Sequence, residues 1–208
     1  MWSIMSIILV RHGETALNAA RVLQPTDTPL SDRGRRQAYA VATRLAAMKI
    51  ETIVSSDLAR AVETAQAIAA ATGLATRTSA LLQERNFGDL RGRAYDGLGF
   101  DALAMEEAPP AGESMTVFNA RAMHAMALLR EFHAANGGNL VVVTHGLLIR
   151  TLVEQYLVLP AGMTAPQRIS NTSLTVFSAE PPHRASVINN TDHLNVELSD
   201  DARAVSGI

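Results

Sequence analysis

Two short stretches of this chain end alike. Ile7-Ile8-Leu9-Val10 runs into Arg11-His12-Gly13, and Leu140-Val141-Val142-Val143 runs into Thr144-His145-Gly146. Apolar, largely β-branched runs of this length suit strands buried on both faces. In open α/β sheets, ligands bind beyond the carboxyl ends of such strands. Two imidazoles at one sheet edge can therefore face each other, and the glycine after each lets backbone or ligand come close. A third run, Thr52-Ile53-Val54, is soon followed by Arg60. Arg11, Arg60, His12 and His145 at strand ends would form a pocket of concentrated positive charge, suited to a phosphoryl group. Guanidinium forks pair bidentately with phosphate oxygens. Phosphoryl transfer is catalysed chiefly by positioning and charge stabilisation. A neutral imidazole, with an ordinary pKa of about 6.5, can attack phosphorus and carry the group as a covalent intermediate. The leaving alkoxide needs a proton, so a carboxylic acid is expected opposite the attacking ring.

The elements that must position these groups alternate along the chain. Ser31 caps a predicted helix over about Asp32–Met48, on which Ala38, Val41, Ala42 and Leu45 share a face. An alanine-rich helix is predicted over Asp57–Thr72, with Gly73 as its stop. Gln83–Gly112 is rich in glycine, proline and acidic residues and reads as loops and short helices. Helix returns over Met115–Ala135, closed by Asn136-Gly137-Gly138, and again over Leu147–Leu157. Two last strands are predicted at Ser173–Ser178 and Arg184–Asn189, and a frayed tail at about 199–208. Strands alternating with helices imply a three-layer α/β/α sandwich, with a mainly parallel sheet of about six strands. We expect one domain over 1–208, with about 84–115 as a small cap or lid.

Composition narrows the function classes. The 208 residues are 48% hydrophobic and 18% charged, enough for a substantial core. A formal net charge of -2 advertises neither a nucleic-acid nor an anionic-membrane partner. The chain has no cysteine, which excludes disulfides, thiolate catalysis and cysteine-based zinc sites. Arg11 ends the first apolar run early and no basic segment precedes it, so neither a signal peptide nor a membrane span is expected, and the cytoplasm is the default setting. No His-Glu-x-x-His spacing suggests a metal. Glu14 is expected to pair with a nearby arginine, His193 to hold a loop, and His124 and His133 to serve the long helix. Met115, Met123 and Met126 are expected to pack in the core or the lid.

Arg11-His12-Gly13-Glu14-Thr15 with Asn18, Ser56-Asp57-Leu58-Ala59-Arg60-Ala61, Leu82-Gln83-Glu84-Arg85-Asn86-Phe87-Gly88, Gly112-Glu113-Ser114 with Phe118 and Arg121, and Thr144-His145-Gly146 follow one another in order. Pro29-Leu30-Ser31, Asn171-Thr172-Ser173 and Asn190-Thr191-Asp192-His193-Leu194 complete a pattern covering nearly the whole chain. It resembles the histidine phosphatase superfamily, also called the phosphoglycerate mutase-like proteins. The resemblance implies His12 as nucleophile, Arg11, Arg60 and His145 as binders of the phosphoryl oxygens, and Glu84 as proton donor and later base. It implies further substrate contacts at Asn18, Gln24 and Gly146, no metal or organic cofactor, and possible homodimers. Leu17 and Pro25 depart from the pattern, which more often has tryptophan and glycine there. Proline has no amide N–H, so any contact relatives make through that amide is missing here.

Three functions share these motifs: a phosphomonoester hydrolase acting on a small phosphorylated metabolite, a 2,3-bisphosphoglycerate-dependent phosphoglycerate mutase, and a catalytically silent phospho-ligand-binding scaffold. The silent scaffold is disfavoured by the presence of His12, Arg60, Glu84 and His145 together. From Ala94 to Ala120 there is no lysine or arginine, whereas Asp96, Asp101, Glu106, Glu107 and Glu113 all fall there. A mutase must grip a carboxylated substrate and shield the phosphohistidine from water, so extra cations would be expected near the mouth. The acidic lid favours the hydrolase.

Overall fold

The computed structural model describes residues 6–199. Its sheet has six strands in the order β3-β2-β4-β1-β5-β6. These are β1 (Ser6–Arg11), β2 (Ile50–Ser55), β3 (Thr76–Thr78), β4 (Asn139–Thr144), β5 (Leu174–Ser178) and β6 (Ala185–Asn190). Strands β3, β2, β4 and β1 run parallel to one another, and β5 lies antiparallel between β1 and β6. The helices are α1 (Ala16–Ala19), α2 (Asp32–Ala46), α3 (Ala59–Thr72), α4 (Met115–Asn136) and α5 (Gly146–Tyr156).

Strand alternation sends neighbouring side chains to opposite faces and so builds three layers. Ile8, Val10, Ile53, Val141 and Val143 meet Val41 and Leu45 of α2 and Ala61, Ala65 and Ile68 of α3. Ile7, Leu9, Val54, Leu140 and Val142 meet Phe118, Ala122 and Leu129 of α4 and Leu148 and Leu152 of α5. The α/β/α sandwich with a mostly parallel sheet is the architecture expected from the sequence. Its central strands β1 and β4 are buried along their whole length, which is why they read as unbroken apolar runs.

Helix ends follow their signals closely. Ser31 Oγ accepts the Gly34 amide at 3.0 Å, and Gly73 closes α3 in the left-handed region at φ 72°. The short strand β3 and the single turn α1 were not legible: Thr76-Arg77-Thr78 is polar and half exposed, and it is a strand only because β2 offers it an edge. Met126 lies in the core and Met115 packs against it. Met123 does not pack as expected; it points to solvent from the outer face of α4, 50% exposed. Residues 83–114 hold only two single 3-10 turns, Gly88–Leu90 and Tyr95–Gly97. This segment is tied to the loop after β1: Leu23 N–H donates to Arg93 O at 3.0 Å, and Tyr95 N–H to Arg21 O at 2.8 Å. Of the expected frayed tail, residues 200–208 lie outside the described residues. No helix among the described residues is long and apolar enough to cross a membrane.

Candidate active site

Sheet register brings the two histidines together. Arg11 of β1 is the direct partner of Thr144 of β4, so the next residue on each parallel strand is a histidine at the same height. The His12 amide extends the ladder by donating to Thr144 O at 2.9 Å. The two rings stand 5.1 Å apart between centroids, inclined at 56°. Both are buried.

The His12 ring is fixed in one tautomer. Its Nδ1 lies 2.7 Å from Gly13 O, a carbonyl that can only accept, so Nδ1 carries the proton. Its Nε2 then keeps a lone pair, which accepts from Arg60 Nε at 3.3 Å. Burial, together with the charges of Arg60 and Arg11, holds His12 well below the ordinary imidazole pKa, so the ring is neutral. The backbone around it is clamped: Gly13 N–H donates to Thr64 Oγ1 at 3.0 Å, and Asn171 Nδ2 donates to His12 O at 3.0 Å. A Cβ on Gly13 would stand 2.5 Å from Gly34 O, and one on Gly34 would overlap Glu14 O. Only glycine permits this backbone-to-backbone packing of the loop against α2. Glu14 itself pairs with Arg33 at 2.5 Å and accepts from Ser31 Oγ at 2.8 Å, the structural role expected of it.

The cations converge on the same point. Arg11 is 1% exposed, and its Nη1 donates to Ile169 O at 2.6 Å. Arg60, in the first turn of α3, donates from Nη1 to Pro25 O at 3.2 Å. The proline that breaks the family pattern thus serves through its carbonyl. Desolvation, with help from Arg11 and Arg91 and against the pull of Glu84, lowers Arg60 to about 10; it remains charged at neutral pH. His145 is held well below the ordinary range by burial, then by Arg60, His12 and Arg11.

Glu84 follows the 3-10 turn Ala80–Leu82, which Thr144 Oγ1 holds by donating to Leu82 O at 2.7 Å. Its Oε1 accepts the Arg85 amide and its Oε2 the Leu147 amide, both at 3.0 Å, the latter from the buried first turn of α5, where amides have no partner within the helix. Burial nonetheless raises its pKa, outweighing those hydrogen bonds and Arg60. Arg121 of α4 anchors the loop from beneath: it donates to the carbonyls of Leu81 (3.1 Å), Gln83 (2.7 Å) and Glu84 (3.1 Å), and pairs with Glu113 at 2.5 Å.

Gln24, Arg60, Glu84, Arg85 and Arg91 line one narrow cleft leading to this centre. Gln24 Oε1 accepts from Thr15 Oγ1 at 2.7 Å, whereas its Nε2 is buried with no hydrogen-bond partner among the described residues; Arg85 Nη1 is in the same condition. Asn18 is fully buried on α1, and its amide is capped by Thr15 Oγ1 at 2.9 Å. Gly146 is buried at the first position of α5. His193 accepts or donates at Thr172 Oγ1 (3.1 Å) and lies 3.4 Å from Arg44 Nη1; burial and Arg44 lower its pKa to about 4. It holds a loop, as expected. A wider groove of about 250 Å³ between α2 and α3, lined by Leu30, Ala38, Tyr39 and Ala67, holds none of these groups. Among the described residues no cluster of three histidine or carboxylate side chains is placed as metal ligands would be.

The sequence-predicted residues His12, His145, Arg11, Arg60 and Glu84 are therefore neighbours. The roles of Ser56, Thr64, Asn171, Arg85, Arg91 and Arg121 were not legible in the sequence. Arg85 and Arg121 stood inside quoted motifs, yet nothing in their spacing says which points into the cleft and which braces it.

The fold and this pocket define a class, the α/β enzymes of phosphoryl transfer. The model of the histidine phosphatase superfamily (branch 1) matches residues 7–191, and the chain belongs to that family. It is 40% identical over 184 residues to phosphoglycerate mutase-like protein 4 of Arabidopsis thaliana, covering 82% of this chain and 78% of that one. It is 38% identical over 213 residues to a probable phosphoglycerate mutase of Yersinia pestis (strain Pestoides F), covering 95% of this chain and 98% of that one. Among solved structures it resembles a mycobacterial glucosyl-3-phosphoglycerate phosphatase with a TM-score of 0.74 and 32% identity, over 90% of this chain and 99% of that one.

Proposed function

We propose that the protein is a phosphomonoesterase that hydrolyses a small phosphorylated metabolite through a phosphohistidine on His12. The observation that carries this reading is the tautomer of His12: its proton is committed to Gly13 O, so the Nε2 lone pair is left facing Arg60. In the first step Nε2 attacks phosphorus, the P–N bond forms and the ester P–O bond breaks. Glu84, kept protonated more readily by burial, gives its proton to the leaving oxygen. Water then attacks phosphorus, Glu84 takes its proton, the P–N bond breaks and inorganic phosphate leaves. Arg11, Arg60 and His145 hold the phosphoryl oxygens throughout. Asn18 and Gly146 complete that shell. The buried, unpartnered Nε2 of Gln24 and Nη1 of Arg85 suit a leaving group rich in hydroxyl or carboxylate oxygens. Small phosphorylated metabolites are met in the cytoplasm, and we place the enzyme there.

A second reading, phosphoglycerate mutase, is favoured by one observation. The acidic stretch Ala94–Ala120 supplies no cation, yet Arg85 and Arg91, which precede it, line the cleft. They could grip a substrate carboxylate. The test is phosphate release from p-nitrophenyl phosphate and a panel of metabolite phosphates, with a chelator present. Wild type is expected to release phosphate and His12→Ala to release none; activity persisting in His12→Ala removes the nucleophile. Rapid formation of 2-phosphoglycerate from 3-phosphoglycerate with catalytic 2,3-bisphosphoglycerate would replace the hydrolase reading by the mutase.

A further inference from the structure

We propose that Ser56 is a positioning residue that fixes the tautomer of His145, so that the second imidazole presents an N–H, not a lone pair, to the phosphoryl group. The inference rests on the phosphoryl-transfer reading for its consequence, but its geometry stands alone. Ser56 directly follows β2, and His145 caps α5; neither has any exposed surface. His145 Nε2 lies 2.8 Å from Ser56 Oγ. His145 Nδ1, on the side of the ring away from Ser56, is buried and has no hydrogen-bond partner among the described residues.

A neutral imidazole has one donor and one acceptor, so two arrangements are open. In one, Nε2 carries the proton and donates to Ser56. Ser56 Oγ already accepts the Leu58 amide at 3.3 Å, so its own hydroxyl proton would then lack an acceptor, and the Nδ1 lone pair would be buried without a donor. Two polar atoms would be orphaned in the interior, each at a real cost. In the other, Ser56 donates to Nε2 and every atom is satisfied except Nδ1–H. That single open donor is what a phosphoryl oxygen would fill. The two rings are then set in complementary fashion by their neighbours. The Gly13 carbonyl, which can only accept, leaves His12 with its lone pair on Nε2; the Ser56 hydroxyl leaves His145 with its proton on Nδ1. One ring attacks phosphorus and the other holds an oxygen without carrying a charge of its own.

The experiment uses the full chain with ¹⁵N-labelled histidine, whose imidazole nitrogens report directly which one bears the proton. The six histidines are distinguished by loss of one pair of signals in His145→Gln. Wild type is expected to show His145 protonated on Nδ1 and bare on Nε2; protonation on Nε2 overturns the proposal, whatever happens to the variants. Orthovanadate inhibition of aryl phosphate hydrolysis gives the functional readout. Ser56→Ala is expected to weaken it about tenfold or more, since an N–H to a charged acceptor is replaced by a mixture containing a lone pair. Ser56→Thr, which keeps the hydroxyl, is expected to restore it to within about threefold. Unchanged vanadate affinity in Ser56→Ala, with Nδ1 still protonated, would overturn the proposal. A wild-type protein that hydrolyses no phosphate ester would instead sink the phosphomonoesterase reading and leave the tautomer result intact.

Discussion

Burying two neutral histidines makes this fold sensitive to acid. Both His12 and His145 titrate well below the ordinary imidazole range in the folded protein, because of burial and then Arg60. In the unfolded chain each titrates near 6.5. A depressed folded pKa contributes stability above the unfolded pKa, and that stability is lost as pH falls toward the folded value. Below about pH 6.5 the unfolded chain binds protons that the folded protein refuses, at about 1.4 kcal/mol per ring per pH unit. Each pH unit over which both buried rings stay neutral therefore costs about 3 kcal/mol, a large fraction of the roughly 5–15 kcal/mol that holds a typical domain together. His145→Asn removes one of the two groups and leaves every carboxylate and His193 in place. Urea unfolding of wild type and variant at a series of pH values from about 7.5 to 5 measures the difference. Whatever the variant loses at pH 7.5 through packing, its stability relative to wild type should improve by about 1.4 kcal/mol for each pH unit below about 6.5 over which the folded protein keeps His145 neutral. Parallel curves for the two proteins would mean that His145 takes up its proton in the folded state as easily as in the unfolded one, and that its burial carries no acid sensitivity.

Further outcomes follow from particular contacts. Arg121→Ala strips the carbonyls of Leu81, Gln83 and Glu84 and the carboxylate of Glu113 of their common donor; it should cost about 3 kcal/mol in urea unfolding and slow turnover of alkyl phosphates at least tenfold, and a loss below about 1 kcal/mol would show that the brace is idle. Gly34→Ala drives a methyl group into Glu14 O, backbone that cannot swing aside, and should destabilise by about 3 kcal/mol; a neutral result would mean that the loop after β1 shifts freely. Glu84→Gln should slow hydrolysis about 10²–10⁴-fold for esters with poor leaving groups and much less for p-nitrophenyl phosphate, as general acid catalysis requires. Equal losses for both would assign the carboxyl some other task. In wild type the poor-leaving-group rate should hold at pH values above the usual carboxylate range and fall as pH rises through the raised Glu84 pKa.

Much of this was legible along the chain because the decisive signals are local. Unbroken apolar runs at Ile7–Val10 and Leu140–Val143 announce strands covered on both faces, and Ser31 and Gly73 announce helix ends through backbone groups within a few residues of themselves. The motifs around His12, Arg60, Glu84 and His145 named the chemistry. What escaped was whatever depends on an unrelated part of the chain. Strand β3 exists because β2 has an edge to fill. Arg121 and Arg85 are both arginines inside recognised motifs, yet one braces the Glu84 loop and the other lines the cleft.

Residue type and short-range periodicity were enough to give the layer architecture, the family and the identity of the charged and titratable groups that the pocket gathers. Their electrical state is a property of the folded chain alone. The pairing of Arg11 with Thr144 across two parallel strands sets the histidines side by side, burial keeps them neutral and Glu84 easy to protonate, and Gly13 O and Ser56 Oγ stand where they can dictate which nitrogen keeps its proton. Protonation and tautomer are properties of surroundings, and surroundings assembled from residues up to a hundred and more positions apart exist only once the chain has folded.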